Sequence, residues 1–259
     1  MMNRIQHPGK LRAAKEEIPA DPVFSIESAL FTPSSRDASR SLFAPLHYEP
    51  KYAYPLIVWL HGPGADERQL LRIMPVVSMR NYVAVAPRGL PLGSAAREAS
   101  VLGWPQSPQD FQEAEQRIFD SIESVQGQYN IAEHRIFLAG FDSGGTVAFL
   151  AAMAHPSRFA GVLSIGGAFP SGHTPFRQLT EARRLPVFLA VGRDSQQYTP
   201  AAACEDLRLF HTAGMSITLR QYPCGHELTS LMLRDVDRWI IEQITAPAAP
   251  QPEPHDRLV

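Results

Sequence analysis

Six short apolar runs, "PLIVWL", "YVAVAP", "RIFLAG", "AGVLSIGG", "PVFLAVG" and "SITLRQYP", follow one another between residues 55 and 223. Each is too short for a core helix and too continuous for a half-exposed strand, so they read as parallel strands covered on both faces. Helical stretches alternate with them. In "DFQEAEQRIFDSIESVQGQY", Phe111, Ala114, Ile118, Ile122 and Val125 fall at spacings of three and four that line one helix face. A last helix from about Glu227 places Leu228, Leu231, Trp239 and Ile240 in the same way. Strand and helix alternating like this predict an α/β domain with a mostly parallel central sheet, right-handed crossovers and helices on both faces.

The ends of the chain differ from this pattern. Residues 1–21 are polar and charged, and 246–259 are proline-rich and apolar-poor, so both are expected to be flexible tails around one domain at 22–245. "VFSIESALF" and "SLFAPLHYEP" read as its opening strands. With 26 acidic against 24 basic side chains, nothing argues for nucleic acid as a partner. No apolar run is long enough to span a bilayer, and the first residues lack the apolar core of a signal peptide, so a cytoplasmic location is expected. Cys204 and Cys224 have no metal-ligand spacing and read as reduced, buried thiols.

In an open parallel sheet the chemistry collects at the carboxyl ends of the strands. After "RIFLAG" comes Phe141-Asp142-Ser143-Gly144-Gly145. A strand-to-helix elbow that presents a nucleophile needs a small residue two before and two after its tip, because the backbone nearly touches itself there. Gly140 and Gly144 meet that need if Asp142 is the tip. With Ser143 at the tip, Phe141 would fall on a small-residue position, so Ser143 is not expected to be the nucleophile. After "PLIVWL" come His61, Gly62, Pro63 and Gly64, where a second oxyanion donor usually lies. Asp194 follows the strand "PVFLAVG", and His226 lies between the last strand and the last helix. Asp142, Asp194 and His226 keep the chain order tip, acid, histidine. They are the expected catalytic residues, with Gly62, Pro63, Ser143 and Trp104 lining the substrate. Arg88 is a weaker candidate, for an anionic substrate.

From about Tyr54 to Ile244 the sequence resembles the phospholipase/carboxylesterase and acyl-protein thioesterase family of α/β hydrolases. "LHGPGADE" is similar to the family's His-Gly-x-Gly segment, "LAGFDSGGTVA" to its Gly-Phe-Ser-Gln-Gly-Gly elbow, and "CGHEL" to its catalytic-histidine segment. The resemblance implies the α/β-hydrolase fold and a small acyl ester or related ligand. About fifteen residues, "SGHTPFRQLTEARRL", separate "GGAFP" from "PVFLAVG", which leaves no room for a cap domain.

Three departures stand against that pattern. Asp142 occupies the family's serine position and Ser143 its glutamine position. A carboxylate cannot be activated by losing a proton as a hydroxyl is. Pro63 stands where a backbone N–H would bind the oxyanion, and proline has none. Losing one such donor typically costs about 10²- to 10³-fold in rate. The family's acid lies three residues after the strand-end glycine, at Ser195 here, whereas Asp194 lies two after Gly192. Three readings stay open: a weakened carboxylesterase or thioesterase in which His226 and Asp194 activate water, an aspartate-nucleophile hydrolase acting on alkyl or epoxide carbon, and a binding or regulatory module without turnover. In the last, Asp142 and His226 would form a buried ion pair. No cofactor is expected, and the spacing selects no metal.

Overall fold

The computed structural model describes residues 39–92, 101–170 and 178–246, all within one compact unit, Thr32–Val259. Its chain order is β1 (Arg40–Phe43), β2 (Tyr54–Leu60), α1 (Gln69–Val77), β3 (Val83–Pro87), β4 (Leu90–Leu92), β5 (Val101–Gly103), α2 (Pro108–Gln126) and β6 (Ile131–Phe141). There follow α3 (Ser143–Ala154), β7 (Gly161–Ile165), α4 (Leu179–Ala182), β8 (Val187–Gly192), α5 (Pro200–Thr212), β9 (Ile217–Tyr222) and α6 (Ser230–Thr245). Seven strands form one sheet in the order β1-β3-β2-β6-β7-β8-β9, and only β1 runs antiparallel to its neighbour. The six apolar runs are its six parallel strands. β4 and β5 pair separately as a small antiparallel ribbon. The expected opening strand at 23–31, the tail 1–21 and all but the first residue of 246–259 lie outside the described residues. No described helix is long and apolar enough to cross a membrane.

The two faces of β2 show why continuous apolar runs were needed. Leu56, Val58 and Leu60 point into a core shared with α2, α3 and α5, while Ile57 and Trp59 point into a second core shared with α1 and α6. Side chains alternate along a strand, so a sheet sandwiched between helix layers needs apolar residues at both phases. α3 lies deepest, with every residue from Gly144 to Met153 buried. That burial fixes the helix that carries the elbow.

Helix phase was read correctly in α2 and, apart from Leu231, in α6. In α2, Ala114, Ile118, Ile122 and Val125 are buried, and the Ser107 hydroxyl caps the start by accepting the Asp110 N–H. In α6 the buried face is Met232, Leu233, Val236, Trp239 and Ile240, and Leu231 is exposed. The Thr229 hydroxyl accepts the Met232 N–H and sets that phase, so the helix starts later than the apolar spacing suggested. Cys204 also departs from expectation. It is exposed because α5 turns Ala203 and Phe210 inward and the neighbouring cysteine outward.

Candidate active site

The elbow forms where β6 gives way to α3 with a single residue between them. That residue is Asp142, held at φ 53°, a conformation that L side chains seldom adopt. Its N–H donates to Ile165 O at 2.9 Å and its carbonyl accepts the Thr146 N–H at 3.1 Å, so β7 on one side and α3 on the other fix the strained turn. The glycines flanking it are required by contact. A Cβ on Gly140 would lie 2.5 Å from the Gly144 carbonyl, and one on Gly144 would strike the carbonyls of Leu60 and His61. Phe141 instead turns its ring toward Gly62 and His226, with ring centroids 5.4 Å apart at the histidine. Asp142 therefore occupies the apex, and Ser143 is the first residue of the helix.

Asp142 and His226 meet directly. The Asp142 Oδ2 atom pairs with Nε2 of His226, and Oδ1 accepts the Ser143 N–H. The His226 side chain is 11% exposed and that of Asp142 27%, so the pair sits at the floor of the surface rather than on it. The backbone of Gly166, at φ 65°, packs against the ring: a Cβ there would come within 3.1 Å of its Cε1. Gly192 lets the loop carrying His226 lie on the end of β8, since a Cβ would meet the Cys224 carbonyl at 2.7 Å.

At its other nitrogen, Nδ1, the histidine meets Ser195 Oγ at 3.0 Å, and Ser195 is only 3% exposed. Asp194, expected to be the acid, is not brought to the site. Its side chain is 59% exposed and forms a two-pronged pair with Arg193, both contacts at 3.1 Å. Bonding to that guanidinium holds the carboxyl below the ordinary aspartate range. The physical reason is the turn after β8. The Ser195 N–H donates to Gly192 O at 3.2 Å, and the turn it closes buries Ser195 and leaves Asp194 exposed. A metal set of Asp142, Asp194 and His226 does not converge either, and among the described residues no group of three or more such ligands does.

Gly62 to Ala65 form a turn closed by the Ala65 N–H donating to Gly62 O at 3.2 Å, with Pro63 exposed at its corner. The other usual donor, the N–H of Ser143, is already taken by Asp142. The Ser143 hydroxyl is buried, with no hydrogen-bond partner among the described residues. His61 braces this turn: its Nδ1 donates to Gly62 O at 2.9 Å, and its Nε2 accepts the Gly89 N–H at 3.0 Å. Burial pushes its pKa down, consistent with a neutral ring.

Trp104, expected to wall the pocket, is instead fully buried, and its indole N–H donates to His61 O at 2.9 Å. An indole needs a partner for its N–H when buried, and this one finds it at the end of β2. Arg88 pairs with Glu67 at 3.0 Å. The Cys224 thiol is pushed up by partial burial, which disfavours a reactive thiolate. Phe141 and Gly166 were not singled out from sequence, although "SIGG" carried the signal of a second close backbone approach.

Comparison with known proteins agrees with this fold. A profile described as phospholipase/carboxylesterase matches residues 49–244. A curated relative, the putative esterase NocK of Nocardia uniformis subsp. tsuyamanensis, is 28% identical over 129 residues, 45% of this chain and 34% of its own length. The chain thus spans about a third of that relative. Among solved structures, the Bacillus cereus carboxylesterase superposes with a TM-score of 0.61 at 17% identity, covering 79% of this chain and 93% of its own. Acyl-protein thioesterase 2 of Zea mays gives 0.61 at 16% identity, covering 79% and 98%. At such identities the likeness is one of fold.

Proposed function

The chain belongs to the phospholipase/carboxylesterase family of α/β hydrolases, and from that premise we propose that it is a member without ordinary serine-esterase turnover, kept as a binding or regulatory module for a small acyl ester or related ligand. One observation carries the reading: the Asp142 carboxylate lies between His226 Nε2 and the Ser143 N–H. In a serine hydrolase those are the base and an oxyanion donor, and both must be free to act on the substrate. Here the side chain at the apex occupies both. Pro63 withdraws the remaining donor, and with Asp194 turned to solvent the route in which Asp194 and His226 activate water loses its acid.

The test is hydrolysis of short-chain p-nitrophenyl esters by the wild type, Asp142→Ala, Ser143→Ala and Asp142→Ser combined with Pro63→Leu. Background rates are expected in the first three and a gain in the last. Wild-type turnover abolished by Ser143→Ala would overturn the reading.

A second reading is favoured by the Oδ1 contact alone. A carboxylate anchored by a backbone N–H is oriented to attack saturated carbon, forming an alkyl ester as the carbon–oxygen bond of an epoxide breaks. Incubation with an epoxide and mass spectrometry of the elbow peptide tests it. An adduct on Asp142 would support this second reading over the first.

A further inference from the structure

We propose that the hydroxyl of Ser195 donates to His226 Nδ1 and thereby pins the ring as its Nε2–H tautomer, so that the imidazole faces the site as a hydrogen-bond donor and not as a base. Ser195 Oγ has two partners among the described residues, the Tyr198 N–H at 3.2 Å and His226 Nδ1 at 3.0 Å. A hydroxyl carries one hydrogen and two lone pairs. The Tyr198 N–H fills one lone pair. If Nδ1–H filled the other, the serine hydrogen would be left unpaired on a side chain only 3% exposed, and a buried donor without a partner is costly. Donation from Ser195 to Nδ1 satisfies every group at once.

The far side of the ring is satisfied by the same tautomer. Nε2 meets Asp142 Oδ2, and an ionised carboxylate only accepts. Phe141 and the Gly166 backbone pack on the ring beside these two contacts.

The relay is therefore wired in reverse. In a Ser-His-Asp arrangement the acid holds Nδ1–H and leaves the Nε2 lone pair free to take the nucleophile's proton. Here the acid stands at the Nε2 end and the hydroxyl at the Nδ1 end, so neither nitrogen offers a free lone pair to a substrate or a water. Ser195 is a positioning residue, acting through His226.

The tautomer belongs to the resting site, so it is tested apart from turnover. Long-range proton–nitrogen NMR correlation on the full ¹⁵N-labelled chain, above neutral pH, should give His226 a pyridine-type Nδ1 and a pyrrole-type Nε2. Ser195→Ala should shift the Nδ1 resonance, Ser195→Thr should restore it by keeping the hydroxyl, and Asp194→Ala should leave the ring resonances in place. A protonated Nδ1 in the wild type would overturn the assignment. So would an Nδ1 shift in Asp194→Ala as large as that in Ser195→Ala, or none in Ser195→Ala. If Ser195→Ala fails to fold, the wild-type and Asp194→Ala spectra decide alone. Ester turnover by the wild type would overturn the proposed function and leave the tautomer untouched, whereas a protonated Nδ1 would do the opposite.

Discussion

Two histidines sit at the carboxyl edge of the same sheet, and their partners divide the molecule into a frame and a site. His61 is bound at both ring nitrogens by backbone atoms, those of Gly62 and Gly89, and is fully buried. His226 is bound at both by side chains, those of Asp142 and Ser195, and reaches the surface. A histidine bonded to backbone can change only if the fold changes. One bonded to side chains can be rewired residue by residue with the fold intact, and here Asp142 and Ser195 hold its two nitrogens.

The sharpest way to strengthen that contrast is to reverse the wiring. Asp142→Ser, Ser195→Asp and Pro63→Leu together should raise p-nitrophenyl ester hydrolysis on the order of 10³-fold over the wild type, with Tm little changed. No gain in a folded triple variant would break the idea that the site differs from a working one at these positions. The frame should respond in the opposite way. A Cβ at Gly89 would lie 2.7 Å from both the Gly103 carbonyl and His61 Nε2, so Gly89→Ala should cost about 2–3 kcal/mol in urea unfolding. A variant as stable as the wild type would show that the His61 brace is not rigid.

Acid should separate the two rings more gently. The pKa of His61 is lowered in the fold from the ordinary 6.5, chiefly by burial, so below that value the unfolded chain binds more protons than the folded one. Its contribution to stability is full above pH 6.5 and is lost as pH falls toward the lowered folded value. Tm measured from about pH 8 to pH 5 should fall more steeply in the wild type than in His61→Gln. Equal slopes would contradict a neutral buried ring. The smallest effect belongs to Asp194→Ala, because its pair with Arg193 is exposed: Tm should stay at the wild-type value. A lower Tm would mean that Asp194 supports the site after all.

The apex was legible in the sequence because glycine spacing is a steric requirement. Gly140 and Gly144 are forced by backbone contact, and they place Asp142 between them without reference to any side-chain partner. The acid position was not legible in the same way. Whether residue 194 or 195 faces inward depends on how the turn after β8 closes, which apolar spacing does not encode. The same limit explains Leu231, where a cap rather than periodicity set the helix phase. It also covers β4 and β5, strands of three residues, the first with Pro91 at its centre. Trp104 beside a proline read equally well as wall or core, and the acceptor that decided it, the His61 carbonyl, lies 43 residues earlier.

The proposal that no serine acts as nucleophile is tested most directly with a fluorophosphonate probe, which esterifies an activated serine hydroxyl, followed by mass spectrometry of the whole chain. An apex carrying Asp142 predicts an unlabelled protein under conditions that fully label a serine carboxylesterase. An adduct on Ser143 would place the hydroxyl, not the carboxylate, at the working position.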